Sequence, residues 1–279
     1  MPTARANGVE LYYESTGDGF PLVWSHEFGG DHRSWEPQVR HFSRRYRVVT
    51  YNHRGYPPST VPARPEDYSQ DILVADLHAL LDALGIRSCH LGGCSMGANV
   101  ALAYAIAHPE RCRSLIVVGG GAGAVNREQF LAGQAATAAA LDRDGIAALQ
   151  QSFDSIPSRA AFKRKDPRGF AEFQRLVGDH SAQACAHLAR GVIAKRRTVH
   201  EQEAGMRGLR VPALVMVGDG DVPCVEPSLF MRQCLPHAGL VVLPDSGHTI
   251  NIEEPDLFNL HVAGFLAAVE HGRWAGWTG

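Results

Sequence analysis

Short apolar runs punctuate the chain at Val9–Ser15, Pro21–His26, Tyr46–Asn52, Ser88–Cys94, Ser114–Gly119, Ala213–Gly218 and Gly239–Leu243. They are rich in Val, Leu, Ile or Tyr, and most end at Gly, Asp or His. A continuous apolar run, without polar alternation, is the pattern of a strand buried on both faces. Between the runs the period changes. Asp71–Leu84 sets Ile72, Leu73, Leu77, Leu80, Leu81 and Leu84 on one stripe, and Gly85 follows as a stop, which predicts a helix. Ala98–Ala107, ended by His108-Pro109, and Asp256–His271 predict two more. Strand and helix in alternation imply βαβ units and a mainly parallel, doubly wound α/β sheet.

The alternation lapses between about residues 124 and 210. Helix-forming tracts such as Phe130–Leu141 and Ala182–Ala194 stand there without a strand, alongside the exposed-looking run Lys163-Arg164-Lys165. Both flanks feed straight back into strands. The expected organisation is therefore a core of residues 1–123 and 211–279 with a helical cap, or lid, of residues 124–210 lying over the sheet. A chain of 279 residues accommodates one domain with such an insertion.

Composition narrows the class only a little. Hydrophobic residues make up 45%, charged residues 20%, and the formal charge is −2, which fits a globular domain and gives no electrostatic footprint for nucleic acid or an anionic membrane. A small-molecule substrate is the expectation, and the sequence leaves the oligomeric state open, a homodimer included. The cysteines at 89, 94, 112, 185, 224 and 234 lack zinc-site spacing. No signal peptide or membrane span is apparent, so a cytoplasmic, reduced location is expected.

The chemistry centres on Gly93-Cys94-Ser95-Met96-Gly97, which fits G-x-S-x-G with a strand before it and a helix after it. A serine at so tight a strand-to-helix turn is forced into a strained backbone, and glycines two positions away on either side relieve the crowding. The Met96 N–H at the helix start is then placed to stabilise an oxyanion. A serine nucleophile needs a base, and the base an orienting carboxylate. Both are expected after later strands: Asp219 and Asp221 lie in the loop that follows Gly218, and His248 in the Ser246-Gly247-His248 turn after Leu243.

Together these motifs resemble the α/β-hydrolase superfamily, in its lidded esterase, lactonase and carbon–carbon hydrolase branch. Gly218-Asp219-Gly220-Asp221 is similar to the family's G-x-x-D, and Gly247-His248 through Glu253, Glu254 and Pro255 to its closing G-H-x-x-x-x-E-x-P. The resemblance implies Ser95 as nucleophile, His248 as base and Asp221 as the acid, with Asp219 as the fallback, and a lid inserted after the sixth strand. It also implies a second oxyanion donor, the N–H of Phe28, from His26-Glu27-Phe28-Gly29-Gly30, which is similar to H-G-x-G-G, with His26 packed behind the loop. Glu27 departs from that pattern. Two roles are open for it: an ion pair with a neighbouring Arg at the cleft edge, or contact with substrate. Asn52 through Ser59 resembles the family's D-x-R-G-x-G-x-S turn, which gives Arg54 a structural role.

The implied reaction is acyl transfer through Ser95 on a small or medium carboxylic ester or lactone, with no cofactor and no metal. The alternatives are hydrolysis of a carbon–carbon bond in a diketone-like product of ring cleavage, a ligand-binding receptor that keeps its triad, and an acyltransferase or perhydrolase. Phe153, Phe162, Phe170 and Phe173 are open between an acyl pocket and lid packing. Gly119 through Ala124 fits a dinucleotide pattern but stands on a late strand, so a close-packed crossover is preferred. His26, Glu27, Asp31 and His32 lack the H-E-x-x-H spacing of a metal helix. Cys94 is expected to be a small packing residue.

Overall fold

The computed structural model describes residues 2–275. In chain order its regular elements begin with β1 (Thr3–Ala6), β2 (Val9–Thr16), β3 (Pro21–Ser25), α1 (Glu36–Phe42), β4 (Arg47–Tyr51), α2 (Gln70–Ala83), β5 (Cys89–Cys94), α3 (Met96–Ala107) and β6 (Cys112–Val118). A helical stretch follows: α4 (Arg127–Asp144), α5 (Ile146–Ser155), α6 (Ala160–Lys165), α7 (Pro167–Val177), α8 (Ala182–Leu188) and α9 (Glu203–Gly208). The chain then returns to the sheet with β7 (Ala213–Gly218), α10 (Val222–Cys234), β8 (Ala238–Leu243), α11 (Ile250–Glu253) and α12 (Pro255–Glu270).

The eight strands form one sheet in the order β1-β2-β4-β3-β5-β6-β7-β8. β1 and β2 run antiparallel at one edge, and all pairings from β4 to β8 are parallel. Side chains alternate across it as the pleat requires. Val23, Val49, Leu91, Val117 and Val215 face a core shared with Leu77 and Leu80 of α2, Leu102 of α3 and Met231 of α10. Leu22, Trp24, Val48, Ile116 and Met216 face the other, with Trp35, Phe42 of α1 and Phe258 and Phe265 of α12. Trp24 and Trp35 stack at 4.4 Å between ring centroids. Gly92 of β5 makes room for the first of them, since a Cβ there would lie 2.1 Å from the Trp24 ring.

Arg54 is buried and donates to both oxygens of buried Asp76 on α2, with a bond of 2.6 Å from its Nε. Burial raises the Asp76 carboxyl above its ordinary value against the pull of Arg54. The pair fastens the loop after β4 to α2. All six cysteines are free and buried. No helix among the described residues is long and apolar enough to cross a membrane.

The elements expected from the sequence are present with ends displaced by up to three residues, and several unexpected ones accompany them. β1 reads Thr-Ala-Arg-Ala and carries too little apolar pattern to stand out. α10 holds Pro223 at its start and Pro227 inside, residues that read as breakers. The tract Ala182–Ala194 is divided into α8 and a π-helical turn, Ala189–Ile193. Lys163-Arg164-Lys165 is not simply a solvated run: Lys165 is half-buried and pairs with Glu253 at 2.8 Å.

Candidate active site

The site forms at the carboxyl ends of β3, β5, β6, β7 and β8, where open α/β sheets place ligands. Ser95 follows β5 directly and has φ +53° and ψ −110°, a region that costs a side-chain-bearing residue about 1–3 kcal/mol. The flanking glycines are sterically required. A Cβ on Gly93 would stand 2.4 Å from the carbonyl of Gly97, and one on Gly97 would stand 2.1 Å from the Ser25 carbonyl oxygen. The Ser95 N–H donates to Val118 O at 2.8 Å, and its carbonyl accepts from the Asn99 side chain at 2.7 Å. Met96 opens α3, so its N–H is among those a helix leaves without an intrahelical acceptor.

Asp221 and His248 meet across the ends of β7 and β8. The His248 Nδ1 stands 2.7 Å from Asp221 Oδ2, with the carboxylate buried and the imidazole partly open. Burial pulls the imidazole down, but the charge and hydrogen bond of Asp221 outweigh it, with Glu27 adding to them, so its pKa is raised. Asp219 is exposed and accepts instead from the Ser246 N–H. Gly119, with φ +54°, lets the loop after β6 pass close behind this pair: a Cβ there would lie 3.3 Å from Asp221 Oδ2 and 3.4 Å from His248 Nδ1. The glycines of the 119–123 run thus serve a close-packed crossover beneath the helical stretch.

The loop after β3 is built on buried imidazoles. His26 Nε2 accepts from the His53 N–H at 3.0 Å, which leaves Nδ1 to donate to Glu27 O at 2.7 Å. Burial lowers His26 to about 4, so this neutral tautomer persists. The Phe28 carbonyl accepts from the Tyr56 hydroxyl at 2.8 Å, while its N–H has no partner among the described residues. Asp31 is held by Arg33 and lies 3.4 Å from His180 of the helical stretch.

Glu27 is paired, although its partner is no neighbour in sequence and the pair is not at the cleft edge. Arg159 donates to Glu27 Oε2 at 2.6 Å, and both side chains are 3% exposed. The guanidinium lies between Phe153 and Phe173, 4.4 and 4.5 Å from their centroids. Glu27 Oε1 is buried without a hydrogen-bond partner among the described residues. Nearby, the His248 N–H donates to Ser158 O at 2.9 Å, and Lys165 donates to Asp245 O at 2.6 Å. The segment 158–165 is therefore tied to both the loop after β3 and the loop that carries His248.

These residues enclose a cavity of about 230 Å³ bordered by Glu27, Phe28, Ser95, Asp221 and His248 from the sheet side, and by Phe153, Arg159 and Arg196 from the helical side. Phe153 reaches this cavity, whereas Phe162, Phe170 and Phe173 do not line it and pack on one another. A larger hollow of about 930 Å³ lies between α2, α3 and residues 187–205, but none of Ser95, Asp221 and His248 borders it. His26, Glu27, Asp31 and His32 do not converge on a point, each being bonded elsewhere. The one group with metal-ligand spacing among the described residues is Asp221, Cys224 and His248. Its thiol donates to Gly119 O, and burial holds it well above the usual range. Cys94 is buried in the core cluster that holds Trp24 and Ile116, and its thiol lies 3.8 Å from the His248 carbonyl oxygen. Sequence reasoning missed Ser158, Arg159, Lys165 and Arg196, which belong to no motif and meet the site only through the tertiary fold.

A family model described as the alpha/beta hydrolase fold matches residues 21–255. A relative from Azorhizobium caulinodans, named as a carbamate hydrolase, is 27% identical over 97% of this chain and 100% of its own length. 3-Oxoadipate enol-lactonase 1 of Acinetobacter baylyi is 30% identical, covering 89% of each chain. The solved structure of the enol-lactonase from Burkholderia xenovorans superposes with a TM-score of 0.82 at 27% identity, covering 95% of this chain and 100% of that one.

Removing the cation of the Glu27–Arg159 pair strands a buried carboxylate. Arg159→Met is expected to destabilise the fold by about 3–5 kcal/mol, with much of the loss recovered in Arg159→Met/Glu27→Gln. Urea unfolding of the parent and both variants measures this. Equal midpoints for all three proteins contradict a coupled pair.

Proposed function

The chain belongs to the α/β-hydrolase family, and from that premise we propose that it hydrolyses a small or medium carboxylic ester or lactone through an acyl-enzyme on Ser95. The observation that carries this reading is the 2.7 Å His248–Asp221 bond beside Ser95 in one cavity. The enol-lactonase names of two similar proteins support the lactone arm. The helical stretch over the sheet acts as the lid that sizes the acyl pocket.

In this mechanism neutral His248 takes the Ser95 proton through Nε2, its other nitrogen being bonded to Asp221. The serine oxygen attacks the substrate carbonyl, and the N–H groups of Phe28 and Met96 hold the oxyanion. His248 then protonates the leaving group, the ester bond breaks, and the acyl group stays on Ser95. Water, activated by the same imidazole, releases the acid and restores the serine. Asp221 keeps the imidazole in the tautomer this requires and stabilises its charged form.

The test is hydrolysis of p-nitrophenyl esters of increasing acyl length, of γ-lactones and of aryl carbamates. Wild type is expected to turn over short or medium esters, with a fall of at least about 10³-fold in Ser95→Ala. Undiminished turnover in Ser95→Ala, or none in wild type on any ester or lactone, contradicts the reading.

The pH dependence has a defined sign. His248 is competent when neutral and its pKa is raised above the ordinary 6.5, so kcat/KM is expected to rise with pH through a midpoint above 6.5 and then level off. Asp221→Asn removes the raising charge and leaves burial in place. The residual activity, lower by about 10⁴-fold, should then carry its midpoint to a lower pH. A midpoint that does not move excludes Asp221 as the source of the shift.

A further inference from the structure

Arg196 is a buried cation that no anion meets among the described residues. It stands just beyond the π-helical turn, is 7% exposed, and borders the cavity into which Ser95 opens. A guanidinium carries five N–H donors, yet the one hydrogen bond its side chain makes among the described residues runs from Nη2 to Ala122 O at 2.9 Å. It also lies 5.6 Å from the Phe130 centroid. The other charges in the wall are matched: Glu27 is taken by Arg159 and Asp221 by His248. Burial lowers the Arg196 pKa to about 10, and the charge of Arg127, whose guanidinium reaches the Arg196 carbonyl, pushes it the same way. Taking a cation out of water beside a second cation is costly unless an anion arrives.

We propose that Arg196 is a substrate-binding residue that receives a carboxylate carried by the ester or lactone, at the end remote from the reacting carbonyl. This rests on the reading that substrate occupies the Ser95 cavity, and it narrows the substrate class to monoanionic esters or lactones. The guanidinium fork suits a carboxylate because two parallel N–H bonds meet its two oxygens. Its attachment to Ala122 O fixes it to the crossover loop after β6, so the subsite is held by the core as well as by the helical stretch. Arg159 is a poorer candidate, because Glu27 already occupies it.

Binding to a Ser95→Ala protein separates recognition from catalysis. Monomethyl glutarate and dimethyl glutarate differ by one carboxylate, and calorimetry on this variant is expected to show the monoester binding about tenfold tighter or more. Arg196→Gln in the same background should bring the two within about twofold of each other, while Arg196→Lys keeps part of the preference. Glutarate should also slow labelling of Ser95 by a fluorophosphonate in the otherwise unaltered protein, which places the anion in this cavity rather than in the larger hollow that Arg196 also borders. No preference in Ser95→Ala, a preference retained in Arg196→Gln, or binding that leaves labelling unaffected overturns the proposal. Should Arg196→Gln fail to fold, the parent preference and the Arg196→Lys value still decide it. Failure of the catalytic reading is seen separately, as loss of ester turnover with the binding preference intact.

Discussion

The backbone of Ser95 sits at φ +53°, and the packing around it leaves no room to relax. Gly97 approaches the Ser25 carbonyl at the end of β3, and Gly93 approaches Gly97. A side chain at either position would push α3 away from the sheet. This close approach holds a conformation that costs about 1–3 kcal/mol, and it lifts the hydroxyl off the sheet instead of into the core. It also sets the spacing between the loop after β3 and the start of α3, so that Phe28 and Ser95 come to border one cavity. Gly92 and Trp24 extend the same logic one residue deeper, a missing side chain on β5 being filled by an indole from β3.

The second constraint is the way residues 158–165 are fastened over the site. Gly247 allows the Ser158 carbonyl to reach the His248 N–H, since a Cβ there would stand 1.9 Å from that oxygen. Arg159 reaches Glu27 on one side and Thr249 on the other, the latter at 3.3 Å. Lys165 closes the set on Asp245, Glu253 and Glu254. The histidine loop is therefore positioned by the helical stretch as well as by β8. Glu27, where glycine is usual, then has a physical account: it is the core's counter-charge for a cation brought in from above.

Much of this was legible in the chain because it depends on local pattern. Doubly buried strands, a strand–G-x-S-x-G–helix sequence and carboxylate and imidazole turns after late strands are properties of short segments. The edge hairpin was also readable in principle: Asn7 and Gly8 both have positive φ, as a two-residue hairpin turn requires, although the strand before them lacks an apolar pattern. α10 was hidden by its prolines: Pro223 falls in the first turn, where a missing N–H is tolerated, while Pro227 stands inside the helix. The choice of Asp221 over Asp219 became a matter of geometry only when β7 and β8 were side by side. Arg159 and Arg196 were out of reach altogether. Their partners lie 132 and 74 positions away, and nothing in the surrounding tracts distinguishes a buried arginine from a solvated one.

The most direct measurement is labelling with a fluorophosphonate probe followed by mass spectrometry of the digested protein. A phosphonate forms a bond with an activated serine oxygen and releases fluoride, so it reports the nucleophile without knowledge of the substrate. A single adduct on the peptide that carries Ser95, lost in Ser95→Ala and strongly reduced in His248→Ala, is the expected result. A folded protein that takes up no label, or takes it at another residue, would contradict Ser95 as the nucleophile.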